Sequence, residues 1–173
     1  MLQKLRSVWE QRPEIDIPKT RSEKVWDVIG YASYMISIIL LMVTWMDLPD
    51  RVPAHFNASG EVDRWGSKYE LFILPGIGFF SLVLMQLLEK HPEWHNYPKR
   101  LNEENVEQFY LLSRKILNQT KNLCLILFSV IIAGSISIAM GKADRLSMWF
   151  FLFIVIISLL PVVVGLIKQR KIK

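Results

Sequence analysis

Four uncharged apolar runs constrain this chain more than any other feature. They are Val28–Met46 with 19 residues, Leu71–Leu88 with 18, Leu123–Met140 with 18 and Met148–Ile167 with 20. A helix needs roughly 20 apolar residues to cross a hydrocarbon core of about 30 Å. Lipid offers no partner to an open backbone N–H or C=O, so each run is expected to be helical. Hydrophobic residues make up 51% of the 173. Their concentration in runs, rather than their amount, sets this chain apart from a soluble domain. Four buried core helices in a soluble protein of this length would leave too little polar chain to cover them. The expected fold class is therefore an all-α membrane protein, a four-transmembrane-helix bundle with spans at 28–46, 71–88, 123–140 and 148–167.

Charge orients the bundle. Of the 21 Lys and Arg residues, six lie in 1–27, six in 89–122 and four in 168–173, against three in 47–70 and two in 141–147. The positive-inside rule then places both termini and the 89–122 segment in the cytoplasm and the 47–70 loop outside, in a multi-pass protein of the cell membrane. Loop 47–70 is acidic on balance, with Asp47, Asp50, Glu61, Asp63 and Glu70. The bases flank spans instead of forming one patch, so the lipid bilayer with its anionic headgroups is the expected partner and nucleic acid is not. The single cysteine, Cys124, permits no intramolecular disulfide. The first run lacks a small-residue cleavage pattern, which reads as a retained span rather than a cleaved signal.

The chain divides into a cytoplasmic N-terminal segment (1–25), a two-helix module (26–88), a cytoplasmic segment with an amphipathic helix (89–122), and a helical hairpin with a basic tail (123–173). Leu2, Leu5, Val8 and Trp9 share a helical face in 1–12, which suits an interfacial helix. Thr20 and Glu23 have capping-box spacing, so the first long helix is expected to start near residue 20. Trp26 and Trp45 fall near its membrane boundaries. Pro75, followed by Gly76 and Gly78, predicts a kink or local unwinding near the outer end of the second span. Asn102, followed by Glu103 and Glu104, can cap a helix. Val106, Phe109, Tyr110, Ile116 and Leu117 continue at helical spacing, as expected of an amphipathic helix running into the third span. Ser129, Ala133 and Ser137, four apart, mark a helix-packing face. No ionisable residue lies inside any of the four runs.

The loop between the first two spans carries the most information. Val52–Asn57 and Glu61–Trp65 are short extended candidates, and Asn57-Ala58-Ser59-Gly60 between them suits a type I turn with Gly at the left-handed position. A small extracytoplasmic β-hairpin with a glycine bulge follows, with Pro53 confining its first strand to an edge. The hairpin brings His55 and Asp63 close together. One His, one Asp and the Asn57 amide are too few for a metal site, so no metal and no cofactor is assigned. A catalytic His–Asp pair would have only Ser59 or Ser67 as nucleophile, neither in a hydrolase context.

The stretch Pro-x-His-Phe-Asn-x-x-Gly-x-x-Asp-x-Trp-Gly-Ser-Lys, here Pro53 to Lys68, resembles the motif of the membrane family catalogued as domain of unknown function 1648, found in SdpI-like proteins of Gram-positive bacteria. The resemblance covers roughly residues 28–85, and His55, Asn57, Gly60, Asp63, Trp65, Gly66 and Lys68 match its motif. It implies a non-enzymatic role in immunity against a secreted peptide toxin, combined with a receptor role toward a cytoplasmic regulator. Two other readings remain open from the residues: a small-solute transporter or permease-like subunit, and a membrane-surface enzyme using His55 and Asp63.

Overall fold

The computed structural model describes residues 12–173; the interfacial helix expected over 1–12 lies outside these residues but for Arg12. The chain forms α1 (Arg21–Thr44), β1 (Arg51–Phe56), β2 (Val62–Ser67), α2 (Ile73–Lys90), α3 (Val106–Ala139) and α4 (Met148–Gln169), with 3-10 turns at Lys68–Phe72 and Pro92–Trp94. Four segments, Arg21–Thr44, Lys68–Lys90, Val106–Ala139 and Leu152–Gln169, are long and apolar enough to cross a membrane. Large apolar side chains stand exposed along them, among them Val28, Ile36, Val43, Phe80, Leu84, Ile156 and Leu166. Water does not tolerate apolar surface on this scale, and lipid does.

The helices arrange three around one. Among the described residues, α1, α2 and α4 each pack chiefly on α3, and β1 packs on α3 as well. The centre falls to α3 because it is by far the longest: 34 residues at 1.5 Å each make about 51 Å. It runs unbroken through the segment expected to be a cytoplasmic amphipathic helix and on through the third span. Its start differs from the expectation. Asn102 Oδ1 accepts the amides of Glu104 (3.0 Å) and Asn105 (3.1 Å), closing a turn, and the helix begins at Val106. Asn105 turns its side chain away from the helix, donating to the carbonyls of Arg100 (3.0 Å) and Lys173 (2.9 Å).

Other helix ends follow local rules. At α1, the Thr20 hydroxyl accepts the Glu23 amide while Glu23 Oε2 accepts the Thr20 amide at 2.8 Å, the capping box expected from spacing. Pro75 lies in the first turn of α2, where a missing N–H costs nothing; the segment before it winds as a 3-10 turn capped by Ser67 and Glu70. At the end of α3, Gly141 has φ +69°, and the Lys142 amide returns to the Ser137 carbonyl at 2.9 Å. This is a Schellman stop, and it allows the short turn into α4.

The two strands pair antiparallel, with Val52 opposite Gly66, Pro53 opposite Trp65 and His55 opposite Arg64, and the register shifts on either side of His55. The hairpin is not a free appendage. Val52 is fully buried in a cluster with Leu41 and Leu48 from α1 and the turn after it, Leu71 from the 3-10 turn, and Ile132 and Ile136 from α3.

Candidate functional site

The molecule has two ends, called here the hairpin end and the terminal end, the latter holding the 89–105 segment and the C-terminus. At the hairpin end, most motif residues serve the hairpin itself. Asn57 Oδ1 accepts the amides of Ser59 (2.9 Å) and Glu61 (3.0 Å), and its Nδ2 donates to Glu61 Oε2 at 3.1 Å. Gly60 sits at φ +79°, its amide donating to the Asn57 carbonyl at 3.0 Å. This is the expected turn with glycine in the left-handed region. The Gly60 carbonyl in turn accepts the amide of Leu146 at 2.8 Å, tying the hairpin tip to the loop between α3 and α4.

His55 Nδ1 lies 2.6 Å from Asp63 Oδ1, with both side chains well exposed. Arg64 braces the strands from outside, donating to the Ala54 carbonyl at 3.2 Å and pairing with Glu70 at 2.9 Å. Gly66 leaves the room that Glu70 occupies: a Cβ there would lie 2.0 Å from Glu70 Oε1. Lys68 places its ammonium 5.2 Å from the centre of the Trp45 ring. Trp65 is 46% exposed. Ser67, a candidate nucleophile in the enzyme reading, accepts the Tyr69 amide as a helix cap. Among the described residues, no group of three or more His, Cys, Asp and Glu is placed to hold a metal.

Beneath the hairpin lies a cavity of about 520 Å³. Phe56, Leu71, Leu74, Ile132, Leu146 and Met148 give it apolar walls, and His55, Asn57, Arg64, Glu70 and Ser135 supply polar groups. Of the expected packing face on α3, Ser129 is buried and Ala133 and Ser137 are half-buried. The positions between them, Ile132, Ser135 and Ile136, are the deeply buried ones.

At the terminal end, the helices are joined by charge. Lys121, 1% exposed, sits between Asp27 (2.9 Å) and Glu89 (2.6 Å), and also donates to Tyr31 and Gln86 at 3.0 Å each. Lys19 reaches the same two carboxylates at 2.6 and 3.0 Å. Asp27 Oδ1 further accepts from Asn118 (2.8 Å) and Asn122 (3.0 Å). Burial works against the Lys19 ammonium, but hydrogen bonds to Asp27 and Glu89 outweigh it and raise its pKa. A second pair lies beside this one: Arg114 Nε donates to Glu23 at 2.7 Å, and its remaining N–H groups hold the carbonyls of Ile17 and Pro18. Gly30 permits the close approach of α1 to α3, since a Cβ there would lie 2.2 Å from Asn122 Oδ1.

Sequence reasoning did not bring these groups together. Asp27, Glu89 and Lys121 lie just outside an apolar run and Lys19, Glu23 and Arg114 five to nine residues from one, where each reads as a solvated flank. The available signal was the spacing of Arg114, Asn118, Lys121 and Asn122, which puts four polar side chains on one face of α3.

Four lipid-compatible helices around a charged end and an apolar, hairpin-capped end define the class, a multi-pass membrane protein. Within it, the model of the family described as Domain of unknown function (DUF1648) matches residues 33–79, the part of the chain from mid-α1 through the hairpin into α2. An uncharacterized protein of Archaeoglobus fulgidus is 33% identical over 94 residues, which cover 51% of this chain and 50% of that protein. The chain thus spans about half the length of the curated relative it matches. No solved structure matches it.

Proposed function

We propose that this is a non-enzymatic protein of the cell membrane, with its termini in the cytoplasm and its hairpin outside, that acts as an immunity protein or receptor toward an extracellular peptide toxin. The observation that carries the reading is the cavity under the hairpin. Its apolar walls and polar rim suit a few side chains of an amphipathic peptide arriving from the outer surface. The charge distribution supports the orientation, with fourteen of the 19 basic residues among those described lying on the terminal side. The likeness of Pro53–Lys68 to the motif of SdpI-like proteins supports the immunity role and extends it to a cytoplasmic regulator held on the basic inner face.

The test deletes the gene and challenges cells with peptide toxins secreted by related strains. Greater sensitivity, restored by the wild-type chain and not by Leu74→Trp, which fills the cavity, is the expected result. Unchanged sensitivity to every toxin removes the immunity reading. A reporter fused after residue 60 that is active only in the cytoplasm removes the orientation.

A permease-like role is the second reading, and the buried Lys121 with its two carboxylates favours it, because buried ionisable groups in multi-pass proteins often mark ion or proton paths. Solute or proton flux in liposomes that is lost in Lys121→Met would support it, and a monomer without flux would remove it.

A further inference from the structure

We propose that the groove between α1 and α2 at the terminal end binds one anionic phospholipid, its phosphate on Lys90 and Lys19 and an acyl chain along Leu87, Val83 and Leu82. The two helices pack on α3 rather than extensively on each other, and they leave an open groove of about 600 Å³ between them. In a membrane such a space does not stay empty, and the material that fills it is lipid. The groove is graded as a phospholipid is graded. Lys19 and Lys90 line one part of it together with the Asp27 carboxylate, which Lys19 and Lys121 pair; Tyr31 and Gln86 add polar groups, and Leu82, Val83 and Leu87 line the rest. From residue 90 to residue 82 a helix rises about 12 Å, the depth of much of one leaflet's hydrocarbon.

Charge selects the headgroup. Asp27 and Glu89 are balanced by Lys19 and Lys121, so this cluster presents no net repulsion to a phosphate. Lys90, in the last turn of α2, is exposed and among the described residues takes part in no ion pair closer than 4 Å, leaving its full charge at the groove. The Lys19 ammonium spends two of its three N–H bonds on carboxylates and keeps one for a further oxygen. A transmembrane helix from a second copy fits less well, because it would press Lys90 against an apolar stripe.

The experiment is native mass spectrometry of the full-length protein in mild detergent, titrated with phosphatidylglycerol or with phosphatidylcholine of identical acyl chains. One phosphatidylglycerol per chain should bind several-fold more tightly than phosphatidylcholine. Lys90→Gln should weaken the phosphatidylglycerol adduct about fivefold, Val83→Trp should remove it, and Lys142→Gln, at the opposite end, should leave it unchanged. All three substitutions fall at exposed positions, and thermal unfolding confirms that each variant is folded. Equal binding of the two lipids, or equal losses in Lys90→Gln and Lys142→Gln, overturns the proposal. So does a lipid-independent dimer abolished by Val83→Trp, which would give the groove to a second copy.

Discussion

The two ends of this molecule hold α1 and α2 to α3 by opposite means. At the hairpin end the contacts are apolar: Leu41, Leu48, Val52, Leu71, Ile132 and Ile136 form one cluster. At the terminal end they are ionic and amide bonds among Glu23, Asp27, Glu89, Arg114, Asn118, Lys121 and Asn122, all buried or nearly so. Within a bilayer, apolar contacts bring no gain from leaving water, because lipid is as apolar as leucine; only shape complementarity remains. The hairpin end escapes this limit because a two-stranded sheet with open edges belongs outside hydrocarbon, where burying Val52 does remove apolar area from water. The terminal end meets the limit differently. Charged groups there have no good alternative to each other, so the network specifies which helix faces which.

The largest effect should come from breaking the ionic end. Lys121→Met leaves Asp27 and Glu89 facing each other with only Lys19 between them and should cost about 3–5 kcal/mol, read as a lower unfolding midpoint in detergent. Glu89→Gln added to Lys121→Met should recover part of that loss by removing an uncompensated charge; a double variant no more stable than the single would break the contrast between the ends. At the hairpin end, Leu41→Ala should cost about 2–3 kcal/mol, with the loss spread evenly between the lipids used for reconstitution, since packing is insensitive to headgroup charge.

A smaller effect should follow Gly60→Ala. At φ +79° a Cβ is strained by about 1–2 kcal/mol, and it would also press on the Leu146 carbonyl at 2.2 Å. Limited proteolysis between residues 57 and 62 should accelerate, while the terminal end keeps its protection. Equal acceleration at both ends would show that the regions do not fold independently.

The smallest effect is a pH dependence confined to the terminal end. Burial lowers the pKa of His95. Burial favours the neutral ring, in which Nε2–H donates to the Leu88 carbonyl at 2.9 Å and Nδ1 can accept from Ser113 at 2.7 Å. The unfolded chain therefore binds the proton first. Stability from this group is present above about pH 6.5 and declines as pH falls below it toward the folded-state pKa. Unfolding midpoints measured from pH 7.5 to 5.5 should fall for the wild type and less steeply for His95→Asn.

Much of the hairpin end was legible in the sequence because it is local. Asn57 and Gly60 are three residues apart, and such a spacing carries its geometry with it. The continuity of α3 was legible for the same reason. The terminal end was not, because its partners are remote: Arg114 is 91 residues from Glu23, and Lys121 is 94 from Asp27. Nothing in either neighbourhood announces the other. The side chains that hold this end together are lysines and carboxylates that, read singly beside an apolar run, are indistinguishable from those facing water. The cavity was equally hidden, since its walls come from the hairpin, α2, α3 and the turn into α4 at once.

The contact between the Gly60 carbonyl and the Leu146 amide runs from main chain to main chain. No side-chain replacement at residue 146 short of proline can delete it, and at residue 60 only the left-handed conformation must be kept. The stretch that the family description matches and the helical pair that it leaves unmatched are therefore clasped at a point almost blind to side-chain identity. Substitutions in either half can leave this bond untouched, whereas the ion pairs that join α1 and α2 to α3 at the other end depend on every side chain in them.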